Sequence, residues 1–86
     1  MPDILLSPRF QRSFSRLPEN IRSLAKKKIQ LFKENPRNNN LRFHKLKGGL
    51  SCYHSFSVSQ SYRIITRITS SGKVILTDIG NHSLYG

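Results

Sequence analysis

Cysteine and long apolar runs are almost absent from this chain of 86 residues. The single cysteine, Cys52, can form neither an internal disulfide nor a multi-cysteine metal site, and this usage favours a cytoplasmic compartment. No apolar run approaches the roughly 18 residues of a membrane span, and the opening segment MPDILLSPRF is too weakly apolar for a secretory signal. We therefore expect a cytoplasmic protein without a membrane partner.

Acidic residues are also scarce, because 4 aspartates and glutamates stand against 15 lysines and arginines. The four acids, Asp3, Glu19, Glu34 and Asp78, are scattered along the chain and give no support to paired-carboxylate catalysis. The 3 histidines lack a metal-binding spacing such as HExxH, and no glycine-rich phosphate loop precedes a helix. The sequence therefore predicts neither a metal site nor a cofactor.

Positive charge is what the chain has in abundance. Its formal net charge is +11 at pH 7, and charge of this size acts on association rather than on the fold. The expected partners are polyanions, either nucleic acid or an acidic protein, with an anionic membrane surface as the weaker choice. The chain is short, 36% hydrophobic and free of repeats and linkers, which predicts one domain over residues 1–86 with a small core.

The N-terminal part of the chain has the helical period. Ser7 followed by Pro8 is typical of a helix start, with serine as the N-cap and proline in the first turn. Apolar residues then recur on one helical face in two segments separated by Pro18, namely Phe10, Phe14 and Leu17, and then Ile21, Leu24, Ala25, Ile29 and Phe32. The segment ENPRNNN ends the second helix. We predict a short strand at DILL followed by a helical hairpin.

After Asn40 the hydrophobic period changes to two. YHSFSV, SYRIITRI and VILTDI alternate as strands do, and residues 69–73 form a hairpin loop between the last two. LRFHKLKG alternates imperfectly, and the glycines at 48 and 49 mark a turn. The order β-α-α-β-β-β predicts an α+β domain in which the helical hairpin packs on a mainly antiparallel, twisted sheet.

Basic side chains and histidines are concentrated in the strand half of the chain. Those on or beside predicted strands are Arg42, His44, Lys45, Lys47, Arg63, Arg67 and His82. Histidine transfers protons near neutral pH, and arginine holds phosphate through two parallel hydrogen bonds. Cleavage of RNA needs these groups and no metal, because the 2′-hydroxyl is an internal nucleophile. DNA lacks that nucleophile, so such a set would cut RNA only.

Each candidate also has a purely structural interpretation. His44 fits an ordinary exposed strand residue, and Arg63 fits a strand residue held in a salt bridge. Tyr85 fits a packing residue at the edge of the core, and His82 fits a tail residue without a role. His54 alternates with apolar residues of its own strand, so we expect it to face inward and to be structural.

Three segments taken together resemble a known family. LKG (46–48), YHSFSVSQSYRII (53–65) and VILTDIGNHSLYG (74–86) are similar to the RelE/ParE superfamily of bacterial toxins, and most of all to its RelE- and YafQ-like mRNA interferases. The pattern covers nearly the whole chain, from the helical hairpin to a terminal Gly-x-His-x-x-aromatic. Each piece is weak alone, and their order and spacing make the resemblance fairly specific.

This resemblance implies the RelE-like fold and the toxin of a type II toxin–antitoxin system. The implied activity is that of a ribosome-dependent, metal-independent endoribonuclease that cuts mRNA in the ribosomal A site and causes growth arrest. It also implies a cognate antitoxin, expected to be acidic, and a toxin–antitoxin complex that can assemble further.

The resemblance also assigns roles to residues. His82 matches the C-terminal histidine that transfers a proton, which makes it the general acid. Arg63 matches the strand arginine that stabilises the scissile phosphate, and Tyr85 matches the terminal aromatic that positions the substrate. His44 lies where some YafQ-like members have a functional histidine, and we take it as the general base. RNA affinity is expected from Arg42, Lys45, Lys47 and Arg67.

Two other hypotheses stay open. Superfamily members of the ParE branch bind DNA gyrase and cut nothing, so fold alone does not decide the function. A ParE-like toxin needs only the positive charge, and it predicts that His82→Ala leaves toxicity unchanged. A plain nucleic-acid binder predicts no growth arrest on expression. The histidine and tyrosine of the C-terminal tail favour the ribonuclease.

Overall fold

The structure, a computed structural model, describes residues 3–46 and 53–81. Its elements in chain order are β1 (Ile4–Leu6), α1 (Pro8–Ser15), α2 (Glu19–Glu34), a 3₁₀ turn (Asn39–Leu41), β2 (His44–Lys45), β3 (Tyr53–Ser57), β4 (Tyr62–Ile68) and β5 (Val74–Asn81). The α+β class and the N-terminal helical hairpin are confirmed. Within these ranges, neither helix combines the length and the apolar character that crossing a membrane takes.

The five strands form one sheet in the order β1-β5-β4-β3-β2. Three pairs, β2 with β3, β3 with β4 and β4 with β5, are antiparallel, whereas β1 runs parallel to β5. The mainly antiparallel sheet is therefore confirmed. Strand β2 is an addition to the predicted order, because a two-residue edge strand leaves little alternation to detect in a sequence.

A serine hydroxyl starts α1 and ties it to β5. The Ser7 Oγ accepts a hydrogen bond from the Phe10 backbone N–H at 3.0 Å, as an N-cap does. The same hydroxyl donates to the Thr77 carbonyl oxygen at 2.9 Å. Thr77 is an extra residue in β5, where the register with β4 shifts. The predicted N-cap is confirmed, and it also holds the helix against the irregular part of the strand.

Helix α2 begins and ends where its sequence signals lie. It starts directly after Pro18 and ends at Glu34, after which Asn35 is extended and its N–H still bonds the Leu31 carbonyl at 2.8 Å. The apolar stripe of α2 faces the sheet, with Phe32 only 1% exposed. Both helix boundaries and the buried face are confirmed.

The core lies between the helices and one face of the sheet. Its buried residues are Phe10, Ala25, Phe32, Leu41, Phe56, Val58, Ile64, Val74, Leu76 and Ile79. The Phe32 ring stacks on the Phe56 ring with centroids 4.6 Å apart and planes 9° apart, and this pair joins α2 to β3. Paired residues of neighbouring strands share a face, so the row Phe56, Ile64 and Ile79 marks the side covered by the helices.

Candidate functional site

Arg63 lies in the middle of the sheet, on the face directed away from the helices. In the register of the sheet, Ser57 of β3 stands opposite it on one side and Gly80 of β5 on the other. Its side chain is almost fully enclosed, with 8% exposure. A guanidinium held in this way is positioned before a ligand arrives, which suits a group that stabilises charge on a phosphate.

His44 lies on the edge strand β2 and belongs to the same face as Arg63. It pairs with Ser55, which pairs with Ile65, two residues along β4 from Arg63. The His44 Nδ1 is 2.7 Å from the Arg42 carbonyl oxygen. A carbonyl can only accept, so Nδ1 carries the proton and donates it, and Nε2 of the neutral ring is left as an acceptor.

The accepting nitrogen of His44 points toward a buried hydroxyl. Its distance to the Ser55 Oγ is 3.5 Å, at the long limit for a hydrogen bond. Ser55 itself is 1% exposed, whereas His44 is exposed. The Nε2 atom therefore makes only this weak contact, which leaves it available to accept a proton.

The backbone at Arg42 holds His44 in this tautomer. Arg42 has φ 51° and ψ 43°, and it is the one non-glycine residue with positive φ in the part of the chain that the structure describes. Left-handed backbone costs such a residue about 1–2 kcal/mol. Its carbonyl accepts from the His44 ring. Strained backbone of this kind is concentrated at functional sites.

His54 faces the helices, as predicted. It pairs with Lys45 on β2, and its ring stacks on Phe43 with centroids 4.9 Å and planes 14° apart. Burial lowers the pKa of His54 below 6.5, and the nearby charges of Lys45 and His44 lower it further. Its buried Nδ1 has no hydrogen-bond partner among the residues that the structure describes. His54 is therefore a neutral aromatic ring at pH 7.

Two cavities meet at Arg42. The larger, about 710 Å³, is lined by Pro36, Arg37, Asn38, Asn39, Arg42, Phe43, His44, Lys45 and His54. The smaller, about 280 Å³, is lined by Lys28, Asn40, Arg42, Ser57, Val58, Ser59 and Gln60. The Arg42 side chain belongs to both linings, and neither lining contains an acidic residue.

The structure brings together some of the predicted site residues and separates others. Arg42, His44 and Lys45 line one cavity, and Lys45 is exposed there. Arg67 is exposed on the face of Arg63 but four residues further along β4, about 13 Å away at the usual strand rise.

Three predicted site residues cannot be located in this arrangement. Lys47, His82 and Tyr85 lie outside the described residues, and the description of β5 ends at Asn81. The glycine turn predicted at positions 48 and 49 also lies outside them.

Sequence reasoning missed the contribution of the loop before β2. Residues 36–39 supply four members of the larger lining, including Arg37, whereas from the sequence we predict no site residue in this segment. The available signal was its polar composition so close to Arg42. His54, predicted only to face inward and to be structural, stacks on Phe43, and both rings also line the cavity.

Charge pairing on the sheet is limited. The Asp78 carboxylate, 5% exposed, lies 3.2 Å from the Arg9 Nε, and it also accepts from the Ile79 backbone N–H at 2.8 Å. With 4 acids against 15 cations in the sequence, acids of the chain itself can neutralise only a minority of its cations. Within residues 3–46 and 53–81, no three histidine, cysteine or acidic side chains come together as metal ligands.

Comparisons with known proteins find similar solved structures. No protein-family model and no curated protein matches the sequence. The chain is similar to YafQ from E. coli strain BL21(DE3), with a TM-score of 0.79 over 100% of both chains at 19% identity. It is similar to a YoeB/ParE toxin from Agrobacterium tumefaciens, with a TM-score of 0.75, 15% identity and coverage of 93% of this chain and 98% of that chain.

A further similarity is to the RelBE2 toxin–antitoxin complex from Mycobacterium tuberculosis, with a TM-score of 0.68, 19% identity and coverage of 95% of this chain and 100% of that chain. Identities this low establish the fold and leave the activity to be argued from the site. The helical hairpin on a five-stranded sheet is therefore the RelE-like fold that these toxins share.

Proposed function

We propose that this chain is the toxin of a type II toxin–antitoxin system and that it is an endoribonuclease. One observation carries the proposal: His44, with its Nε2 free to accept a proton, shares a sheet face with the enclosed cation of Arg63. A base and a phosphate-binding cation on one face are what attack by a 2′-hydroxyl requires. The RelE-like fold supports the proposal, because the solved structures that share it include toxins.

The reaction transfers one proton to a base and one from an acid. His44 Nε2 takes the proton from the 2′-hydroxyl, and the 2′-oxygen forms a bond to the adjacent phosphorus. The bond from phosphorus to the 5′-oxygen breaks, and His82 gives that oxygen a proton. The products are a 2′,3′-cyclic phosphate and a 5′-hydroxyl. Each acid–base contribution is worth about 10²–10⁴-fold in rate.

The cations have separate roles in this scheme. Arg63 donates hydrogen bonds to the non-bridging phosphate oxygens, whose negative charge grows in the transition state. Tyr85 positions the substrate. The RNA backbone is bound by four further cations, Arg42, Lys45, Lys47 and Arg67. Their contribution to affinity decreases as the salt concentration rises.

The charge of the chain and the comparisons support an antitoxin partner. A net charge of +11 calls for an acidic antitoxin, and the RelBE2 structure is a complex of a toxin with its antitoxin. We propose the same type of partner here. The substrate is mRNA in the ribosomal A site, which places the activity in the cytoplasm.

The test is cleavage of a message during translation. Purified chain, wild type or His82→Ala, is added to a reconstituted translation mixture, and the new 5′ ends are mapped by primer extension. We expect cuts inside codons of translated message with the wild type and their loss with the variant. Intact message with the wild type would refute the nuclease.

A gyrase-directed toxin is the second candidate, because one similar structure is a YoeB/ParE toxin. Its measurement is the supercoiling activity of DNA gyrase in the presence of the chain. The ribonuclease proposal expects that activity to be unaffected. Inhibition of gyrase together with intact message would establish the second candidate instead.

A further inference from the structure

The larger cavity has the size and the wall of a nucleotide site. Its volume of about 710 Å³ lies within the range of about 300–1,000 Å³ that small-molecule sites occupy. It lies between the loop that follows α2 and the edge of the sheet formed by β2 and the start of β3. The catalytic scheme already uses His44, Arg42 and Lys45 from this lining, but it gives no role to Arg37 or to the His54 ring.

One wall of the cavity is an aromatic ring supported from the core. Phe56 stacks on Phe32 at 4.6 Å, Phe32 meets Phe43 edge to face at 5.2 Å, and Phe43 stacks on His54 at 4.9 Å. His54 is the last ring of this row, and both His54 and Phe43 line the cavity. The row holds the His54 ring in place. The His54 side chain therefore loses little conformational freedom when a flat ligand packs on it.

The other walls of the cavity are cationic and amide. Arg37, Arg42 and Lys45 are exposed at its rim, and Asn38 and Asn39 lie between them along the lining. The full lining contains no acid, so its charge is positive. A ligand that fits has a flat aromatic part for the ring and a negative part for the three cations.

We propose that this cavity binds one nucleotide of single-stranded RNA next to the cleaved bond, with its base packed on the His54 ring and its phosphate on Arg37, Arg42 and Lys45. The position of this nucleotide next to the cleaved bond rests on the proposed function. His44 connects the two sites, because it lines the cavity and shares the face of Arg63. His54 is then a positioning residue, not a catalytic one.

Base stacking on protein rings has a known size. It contributes about 1–3 kcal/mol per base, and it tolerates any base because each has a flat π-face. An acidic peptide would use only the cations of the rim and would gain nothing from a neutral ring. The favoured occupant is therefore RNA, and an acidic peptide is an outcome that the experiment can detect.

The experiment measures RNA binding without a ribosome and without cleavage. The probe is a fluorescein-labelled hexaribonucleotide with 2′-O-methyl groups, which has no nucleophile. Fluorescence anisotropy gives Kd and its salt dependence for the wild type, His54→Leu, His54→Phe and Arg37→Ala. The matched control is Arg12→Ala, which removes the same charge from an exposed position on α1. Thermal unfolding of each variant verifies that it is folded.

The expected results separate the ring from the charges. His54→Leu weakens binding by about 5- to 160-fold with an unchanged salt slope, and His54→Phe stays close to the wild type. Arg37→Ala lowers the salt slope by about 0.7, as loss of one phosphate contact to a single strand does. Arg12→Ala leaves the slope unchanged. One abasic position in the hexamer weakens wild-type binding and has no further effect on His54→Leu.

Several outcomes would overturn the proposal. Equal slopes for Arg37→Ala and Arg12→Ala would mean that Arg37 contacts no phosphate, contrary to the proposal. If no abasic position changes the affinity of the wild type, then no base packs on the His54 ring. This result would hold even if His54→Leu did not fold. Polyglutamate, at the same concentration of negative charge as the RNA, could also displace the probe. If it does so and His54→Leu weakens its binding as much as it weakens RNA binding, the cavity would be assigned to an acidic peptide. The binding result is independent of the translation assay, so a failed nuclease would leave the cavity as an RNA site.

Discussion

Arg63→Ala should abolish most cleavage activity, and the reason is the enclosure of the guanidinium. A cation with 8% exposure in the middle of the sheet is fixed before substrate arrives. Loss of one such charge-stabilising donor costs about 2.7–4 kcal/mol in the transition state, or roughly 10²–10³ in rate. Arg63→Lys keeps the charge but loses the two-pronged geometry, so we expect it to recover only part of the rate.

Arg67 provides the matched control for this prediction. It is the same residue type on the same strand and the same sheet face, but it is exposed. An exposed cation contributes mainly to affinity, and that contribution is screened by salt. Arg67→Ala should therefore raise the toxin concentration needed for half-maximal rate, with a much smaller effect on the rate at saturation than Arg63→Ala.

The assay is the single-turnover rate of message cleavage in the translation mixture, at increasing toxin concentration. Circular dichroism and thermal unfolding confirm that each variant is folded. Equal losses for the two alanine variants, or an Arg63→Ala variant that cleaves at the wild-type rate, would refute the assignment of Arg63 to the transition state.

Three further predictions concern stability. Ser7→Ala removes the N-cap and the bond to the Thr77 carbonyl, together about 2 kcal/mol, so Tm should fall by roughly 8–16 °C. The pKa of His54 is lowered in the folded chain from 6.5, so the folded state binds fewer protons than the unfolded state. The contribution of His54 to the free energy of unfolding is complete above pH 6.5 and is lost as pH falls through the lowered pKa. Urea unfolding at a series of pH values should show this loss in the wild type and a smaller loss in His54→Phe. Gly72→Ala should cost about 1–2 kcal/mol in urea unfolding, from backbone strain at φ 88°.

Each of these has a contrasting control or outcome. Ser15→Ala removes an exposed hydroxyl bond to the Arg12 carbonyl, and it should lower Tm far less than Ser7→Ala does. Identical pH profiles of unfolding for the wild type and His54→Phe would contradict the lowered pKa. A Gly72→Ala variant as stable as the wild type would show that the hairpin loop adopts another backbone conformation.

Local signals in the sequence were sufficient for the helices and the long strands. The Ser7 cap is made within three residues, and the alternation of β3 and β4 is visible because each has apolar residues at every second position on the face covered by the helices. These features depend on neighbours along the chain. The single-domain extent over residues 1–86 stays a prediction, since the described residues end before the termini.

Other features depend on contacts that no local period encodes. The parallel pairing of Ile4 with Val74 joins segments far apart in the sequence, and DILL alone does not specify its partner strand. The left-handed backbone at Arg42 has no sequence signal, because arginine has no preference for that conformation. The larger cavity is assembled from the loop after α2 and two strands, so it becomes visible only in the fold.

A message that lacks the nucleophile at one position distinguishes attack by the 2′-hydroxyl from every other route to cleavage. Cleavage sites are first mapped with unmodified mRNA in the translation mixture, and the same message is then prepared with a single 2′-deoxy nucleotide at the cleaved position. If the 2′-hydroxyl is the nucleophile, the cut at this position disappears while the other cuts stay. A cut of equal intensity at the 2′-deoxy position would contradict attack by the 2′-hydroxyl, and with it the roles of His44 and Arg63.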